Sequence, residues 1–137
     1  LYITKRKRNY LSVFSSVVIV LVLVYFVSGY FKHYAIAIAS GSMNPAINRG
    51  DVVIIEKIGD NASDIKEGDV IAYKYGKVIV VHRVVRYIKD KDKIYFYTKG
   101  DANESEDNYA ISEDMILGIV KVKVPYIGFP TIWFSEL

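Results

Sequence analysis

The chain has 137 residues, 52% of them hydrophobic and 24% charged, which is one domain's length with ample apolar surface to bury. It has no Cys and only two His, so disulfides, thiolate nucleophiles and a three-His zinc centre within one chain are excluded. The net charge of +3 is an end effect: Lys5, Arg6, Lys7 and Arg8 are the only charges before residue 32, leaving 14 of the 18 basic and all 15 acidic side chains to the rest, too balanced for the basic face that nucleic acid requires.

Leu11 to Phe31 is free of charge. As a helix it would be ~30 Å long, the thickness of a bilayer's hydrocarbon core. Its polar positions Ser12, Ser15, Ser16 and Ser28 carry hydroxyls able to bond back to the preceding turn, and Tyr10 and Tyr30 sit where interfacial aromatics belong. The spacing predicts one N-terminal transmembrane helix over 11–31, preceded by a basic cytoplasmic segment, 1–10. Four basic residues before the span and only Lys32 just after it put the remainder on the extracytoplasmic side. A cleaved signal peptide is the competing reading, with Ala35, Ala37 and Ala39 imitating a cleavage site, but its apolar stretch would be shorter.

Residues 32–124 read as β structure. Tyr34 to Ala39 alternates with period two, and Asp51 to Ile58, Asp69 to Tyr75 and Val78 to Ile88 are β-branched runs set off by Gly-containing turns. Lys89 to Lys93 reads as a hairpin tip, Ile94 to Thr98 as the returning strand and Ile116 to Val124 as the last one. The expected fold class is all-β, as small antiparallel sheets or a barrel. The tail 125–137 is apolar with Pro125, Gly128 and Pro130, poorly suited to a helix and short for a span. It reads as a membrane-interfacial anchor or the start of a second span.

Three segments carry chemistry. Ser40-Gly41-Ser42-Met43-Asn44-Pro45 ends the first strand in a sharp turn, able to present a hydroxyl and a backbone N–H in one direction. Read alone it is equally an ordinary Ser/Gly/Pro loop. His82 lies in mid-strand with Val80 and Val84 on its face, either a core His or a held base, while Arg83 points the other way. The loop from Gly100 to Asn108 spaces Asp101, Asn103, Ser105 and Asp107 like half of a calcium loop, but Glu106 and Ser112 stand where that loop needs Gly and Glu. Together the segments supply a nucleophile, a base and an acid. No Walker A loop, G-x-S-x-G elbow, H-E-x-x-H or dinucleotide glycine pattern is present.

The order Ser-Gly-Ser-Met-x-Pro, Arg-Gly-Asp, Gly-Asp-Val-Ile, Val-His-Arg-Val and Lys-Gly-Asp-x-Asn with a later Asp, following an N-terminal span, resembles the type I signal peptidases, in their archaeal and endoplasmic-reticulum branch. The resemblance runs from about residue 12 to about residue 128. It implies a membrane-anchored β-sheet serine endopeptidase that removes signal peptides after small residues, with no cofactor and no metal. By position, Ser42 would be the nucleophile, and His82 the base where the bacterial branch has Lys. Asp107 would be the acid and Asp101 a second required carboxylate, with the question of which one touches His82 left open. Ser40 would complete an oxyanion hole, and Met43, Ala37, Ala39 and Val80 would meet the substrate. The implied partners are signal-peptide-bearing preproteins, the lipid bilayer and, as an open case, the protein-export translocon. The implied location is the cell or endoplasmic-reticulum membrane. A non-catalytic membrane-anchored β adaptor is the rival reading, and it requires Ser42 to be dispensable.

Overall fold

A computed structural model describes residues 2–27, 32–59 and 62–137, which divide into two units, Leu1–Lys32 and His33–Leu137. The first unit is one helix, α1 (Tyr2–Val27). No Gly or Pro interrupts the sequence before residue 29, so the helix begins well ahead of the predicted span and takes in the basic residues. Ser15 and Ser16 Oγ both donate to the Ser12 carbonyl at 2.9 Å, the back-bonding that satisfies a hydroxyl in an apolar helix. Side chains of α1 are described from 9 to 25, and residues 28–31 of the predicted span lie outside the described residues. Among the described residues no helix is long and apolar enough to cross a membrane.

The second unit is an antiparallel sheet of seven strands: β1 (His33–Ala37), β2 (Val52–Glu56), β3 (Val70–Tyr75), β4 (Val78–Asp90), β5 (Lys93–Lys99), β6 (Ile111–Ser112) and β7 (Ile116–Val124). Their order is β1-β2-β7-β3-β4-β5-β6. The expected β class holds, but the strands form one sheet rather than several small ones, because β7 returns to join β2 to β3. Register shifts at Ile54/Ile55, Ala72/Tyr73 and Val84/Arg86 bend it, as bulges do.

Both faces of β3 are buried, which explains why Val70-Ile71-Ala72-Tyr73 reads as a continuous apolar run rather than an alternation. Ile71 and Tyr73 pack with Val84, Phe96, Ile111, Ile116 and Ile119 on one face. Ala72 packs with Ile38, Met43, Ile47, Val53, Ile55 and Val81 on the other. Each fully buried aliphatic or aromatic side chain contributes about 1.5–3 kcal/mol.

The tail departs from expectation, since α2 (Phe129–Ser135) is a helix. Pro130 falls in its first turn, where the missing N–H would have had no intrahelical partner. Ile132 is buried, Gly128 N–H donates to the Gly50 carbonyl, and the buried Asp51 carboxylate accepts from the Asn48 and Tyr126 N–H groups, so the tail is tied to the sheet. Tyr126, Ile127, Trp133 and Phe134 remain exposed.

Gly118 sits where β7 crosses the end of β2, and a Cβ there would lie 2.3 Å from the Glu56 carbonyl oxygen. We expect Gly118→Ala to cost about 1–3 kcal/mol by overpacking against rigid backbone, read as a lowered urea midpoint at unchanged slope.

Candidate active site

The chain leaves β1 into a loop closed at its base by Ile38 N–H to the Asp51 carbonyl, 2.9 Å, and Gly50 N–H to the Ile38 carbonyl, 2.8 Å. Within it, Asn44 N–H bonds the Gly41 carbonyl and Ile47 N–H bonds the Met43 carbonyl. Met43 and Ile47 are buried anchors that draw the loop onto the sheet. Ser42 is thereby held half-buried, with Ser40 Oγ 3.2 Å from its own Oγ.

His82 lies on β4, opposite Ile71 of β3. Its Nε2 is 3.1 Å from Ser42 Oγ, and its Nδ1 is 2.7 Å from Asp107 Oδ2. The two side chains of the His82–Asp107 pair are only 9% and 12% exposed, so little water competes for either. Asp107 comes from the loop after β5, where its N–H donates to the Thr98 carbonyl at 2.8 Å. Its Oδ2 also accepts from Thr98 Oγ1 at 2.6 Å and from Tyr73 Oη at 3.2 Å.

Asp101 goes elsewhere. Arg83 Nε and Nη2 donate to its two oxygens at 2.9 and 2.7 Å, a forked pair, and Arg83 Nη1 donates to the Gly68 carbonyl. The Arg83 guanidinium holds the Asp101 carboxyl below its ordinary range, and Asp101 raises Arg83 in turn. The two carboxylates that the calcium-like spacing would bring together therefore face different partners, and the geometry puts Asp107, not Asp101, against His82. The same loop grips Ser42 from behind, since Ala102 N–H donates to the Ser42 carbonyl at 2.9 Å. A Cβ on Gly100 would lie 2.6 Å from that carbonyl oxygen, which is why Gly stands there.

A cleft of ≈ 1080 Å³ opens beside Ser42 and His82. Ala37 and Ala39 after β1, Val80 on β4 and Ser40 line it together with Tyr109, so these expected substrate contacts do converge. Met43 lines it too, from the core side: it is 1% exposed and packs with Ile47 and Ala72 beneath the loop. Sequence reasoning missed Thr98, Tyr73 and Tyr109. The available signal was Thr98 at an inward register, opposite Val84 and two residues after the buried Phe96. Asn61, in an N-x-S context, lies outside the described residues.

A serine hydroxyl against an imidazole backed by a largely buried carboxylate has the geometry of the Ser-His-Asp class, here carried on an antiparallel sheet. The profile described as signal peptidase, peptidase S26, matches residues 10–116, and the chain belongs to that family. It is 38% identical over 111 residues to the signal peptidase complex catalytic subunit SEC11 of Clavispora lusitaniae, covering 74% of this chain and 65% of that one. It is also 38% identical over 112 residues to that of Zygosaccharomyces rouxii, with the same coverage. To that of Schizosaccharomyces pombe it is 28% identical over 126 residues, 74% of this chain and 67% of the relative. The chain thus spans 65% of the length of the first two relatives.

The Arg83–Asp101 pair has a stability signature in acid. A folded-state carboxyl lowered below its ordinary value of 3.8 stabilises the fold above that value and ceases to do so as pH falls through the lower folded value. Urea unfolding across pH should show Asp101→Asn less stable than wild type at neutral pH, with the gap closing below pH 3.8. A gap that is constant down to the lowest pH would mean that the ion pair is not its source.

Proposed function

We propose that this chain is a membrane-bound serine endopeptidase that cleaves signal peptides from exported preproteins after small residues. The observation that carries the reading is the Ser42–His82–Asp107 alignment at 3.1 and 2.7 Å, opening onto a cleft walled by β1 and the first half of β4. Family membership and the similarity to signal peptidase complex catalytic subunits support it.

In this reading His82 Nε2 takes the proton of Ser42 as Oγ attacks the scissile carbonyl. Asp107 keeps the Nδ1–H tautomer and stabilises the imidazolium that forms. The Ser42 N–H and the Ser40 hydroxyl receive the oxyanion, each such donor being worth roughly 2.7–4 kcal/mol in comparable sites. His82 then returns its proton to the leaving amine. Asp101 acts through the backbone, holding the loop that grips Ser42.

The substrate is an extended segment added beside existing strands. β1 is an edge strand, and β5 pairs with β4 only from Arg83 onward, so backbone on both sides of the cleft is open to a further strand. Ala37 and Ala39 leave shallow space next to Ser42, which suits small side chains before the cut.

The membrane assignment rests on the charge-free run 11–31, with the N-terminus cytoplasmic and the β domain extracytoplasmic. The exposed Tyr126, Ile127, Trp133 and Phe134 give the tail a membrane-interfacial face. The bilayer and signal-bearing preproteins are the partners; assembly with further subunits is the reading suggested by the SEC11 relatives.

The test is cleavage of a signal-bearing preprotein. Ser42→Ala and His82→Ala should each abolish it, and Asp107→Asn should lower kcat by about 10⁴, since a wrongly held tautomer has that effect in comparable triads. Retention of more than about a tenth of the wild-type rate by Ser42→Ala would remove Ser42 as the nucleophile, and absence of cleavage by the wild-type chain would favour the adaptor reading.

A further inference from the structure

Behind Asp107 lies a set of buried hydroxyls that the three-residue reaction does not by itself call for. Thr98 and Tyr73 are both 0% exposed. Tyr73 Oη lies 3.1 Å from Thr98 Oγ1, 3.2 Å from Asp107 Oδ2 and 3.2 Å from Tyr109 Oη. Tyr109 follows Asp107 by two residues, stacks on Tyr75 with ring centroids 4.0 Å apart, and lines the cleft.

The carboxylate orders the protons of this set. An ionised carboxylate only accepts, so the Thr98 proton, at 2.6 Å, points at Asp107 Oδ2. Tyr73 has one proton and three oxygens in reach, Thr98 Oγ1, Asp107 Oδ2 and Tyr109 Oη. Given to Thr98 or to the carboxylate, it leaves the Tyr73 oxygen to accept from Tyr109. In those two arrangements the hydroxyls run one way, from the wall of the cleft to the carboxylate. Burial raises Tyr73 well above the ordinary phenol range, so Tyr73 keeps its proton at any working pH.

Thr98 also holds the backbone of Asp107 through its carbonyl, so one residue fixes both the position of the loop and the direction of the carboxylate. We infer that Thr98, Tyr73 and Tyr109 form a hydroxyl relay that positions Asp107 for His82, with Tyr109 as its cleft-side end. An extended peptide seated against Tyr109 then steadies the far end of the relay, and so links occupancy of the cleft to orientation of the base. All three are positioning residues: they act through Asp107 and touch no reacting atom.

The inference rests on the triad reading above, and its test separates the two. The 137-residue chain in detergent micelles is assayed on a soluble peptide bearing Ala at the residue before the cut and two residues earlier. Thermal unfolding is measured on every variant. Thr98→Val should lose roughly tenfold to a hundredfold in kcat with KM little changed, the scale of one hydrogen bond to a charged group. Thr98→Ser should recover to within about twofold, which a packing role for the methyl would not produce. Tyr73→Phe should lose less than Thr98→Val, and Tyr109→Phe least, by a few-fold, with its fold intact.

Wild-type kcat in Thr98→Val, or Thr98→Ser no faster than Thr98→Val, would overturn the relay. Should Thr98→Val fail to fold, unchanged kcat in both Tyr73→Phe and Tyr109→Phe overturns it instead. Cleavage that survives in Ser42→Ala removes the triad reading itself. An inert Ser42→Ala beside silent hydroxyl deletions removes the relay alone.

Discussion

One oxygen atom organises this site. Asp107 Oδ2 receives the Nδ1 of His82 from β4, the hydroxyl of Thr98 from β5 and the hydroxyl of Tyr73 from β3. Those three strands are neighbours in the sheet, and the three side chains share one face of it. A carboxylate this far from water is tolerable only with donors around it, and the sheet supplies them before any substrate arrives. The loop carrying Asp107 is pinned to Thr98 at both backbone and side chain, so the acid is placed with the precision of a strand rather than that of a free loop.

The same loop holds two essential-looking carboxylates, and strand geometry sorts them. His82 and Arg83 are adjacent on β4, so their side chains leave opposite faces of the sheet. Asp107 is captured by the imidazole on one face and Asp101 by the guanidinium on the other. Arg83 gives Asp101 a forked, fully charged partner whatever the pH, while His82 is the partner able to take and return a proton. The loop is thereby stretched between two fixed points, and Ala102 between them bonds the Ser42 carbonyl. Ser42 and His82 are positioned by one connected set of contacts.

Much of this was legible in the residues. The β-branched runs marked the strands, and Val80 and Val84 beside His82 marked the inward face, because period-two alternation survives wherever one face is buried. The spacing of Asp101 and Asp107 showed two candidate acids but not which one met His82, since that depends on how a loop crosses three strands. Thr98 and Tyr73 went unread because Thr and Tyr are ordinary strand residues, and only register places their hydroxyls on one carboxylate. The single sheet went unread for the same reason: the insertion of β7 between β2 and β3 is long-range pairing with no local signal. The helical tail was hidden by Pro130, which breaks a helix in its interior but suits its first turn.

The central claim is that His82 and Asp107 act as one unit, and coupling between them tests it most directly. Rates of preprotein cleavage would be compared for His82→Ala, Asp107→Asn and the double variant, all in the same 137-residue chain. The account predicts strong non-additivity, with the double variant no slower than His82→Ala within a few-fold, because Asp107 has nothing to orient once the imidazole is gone. Losses that multiply in the double variant would contradict it and assign Asp107 a role independent of His82.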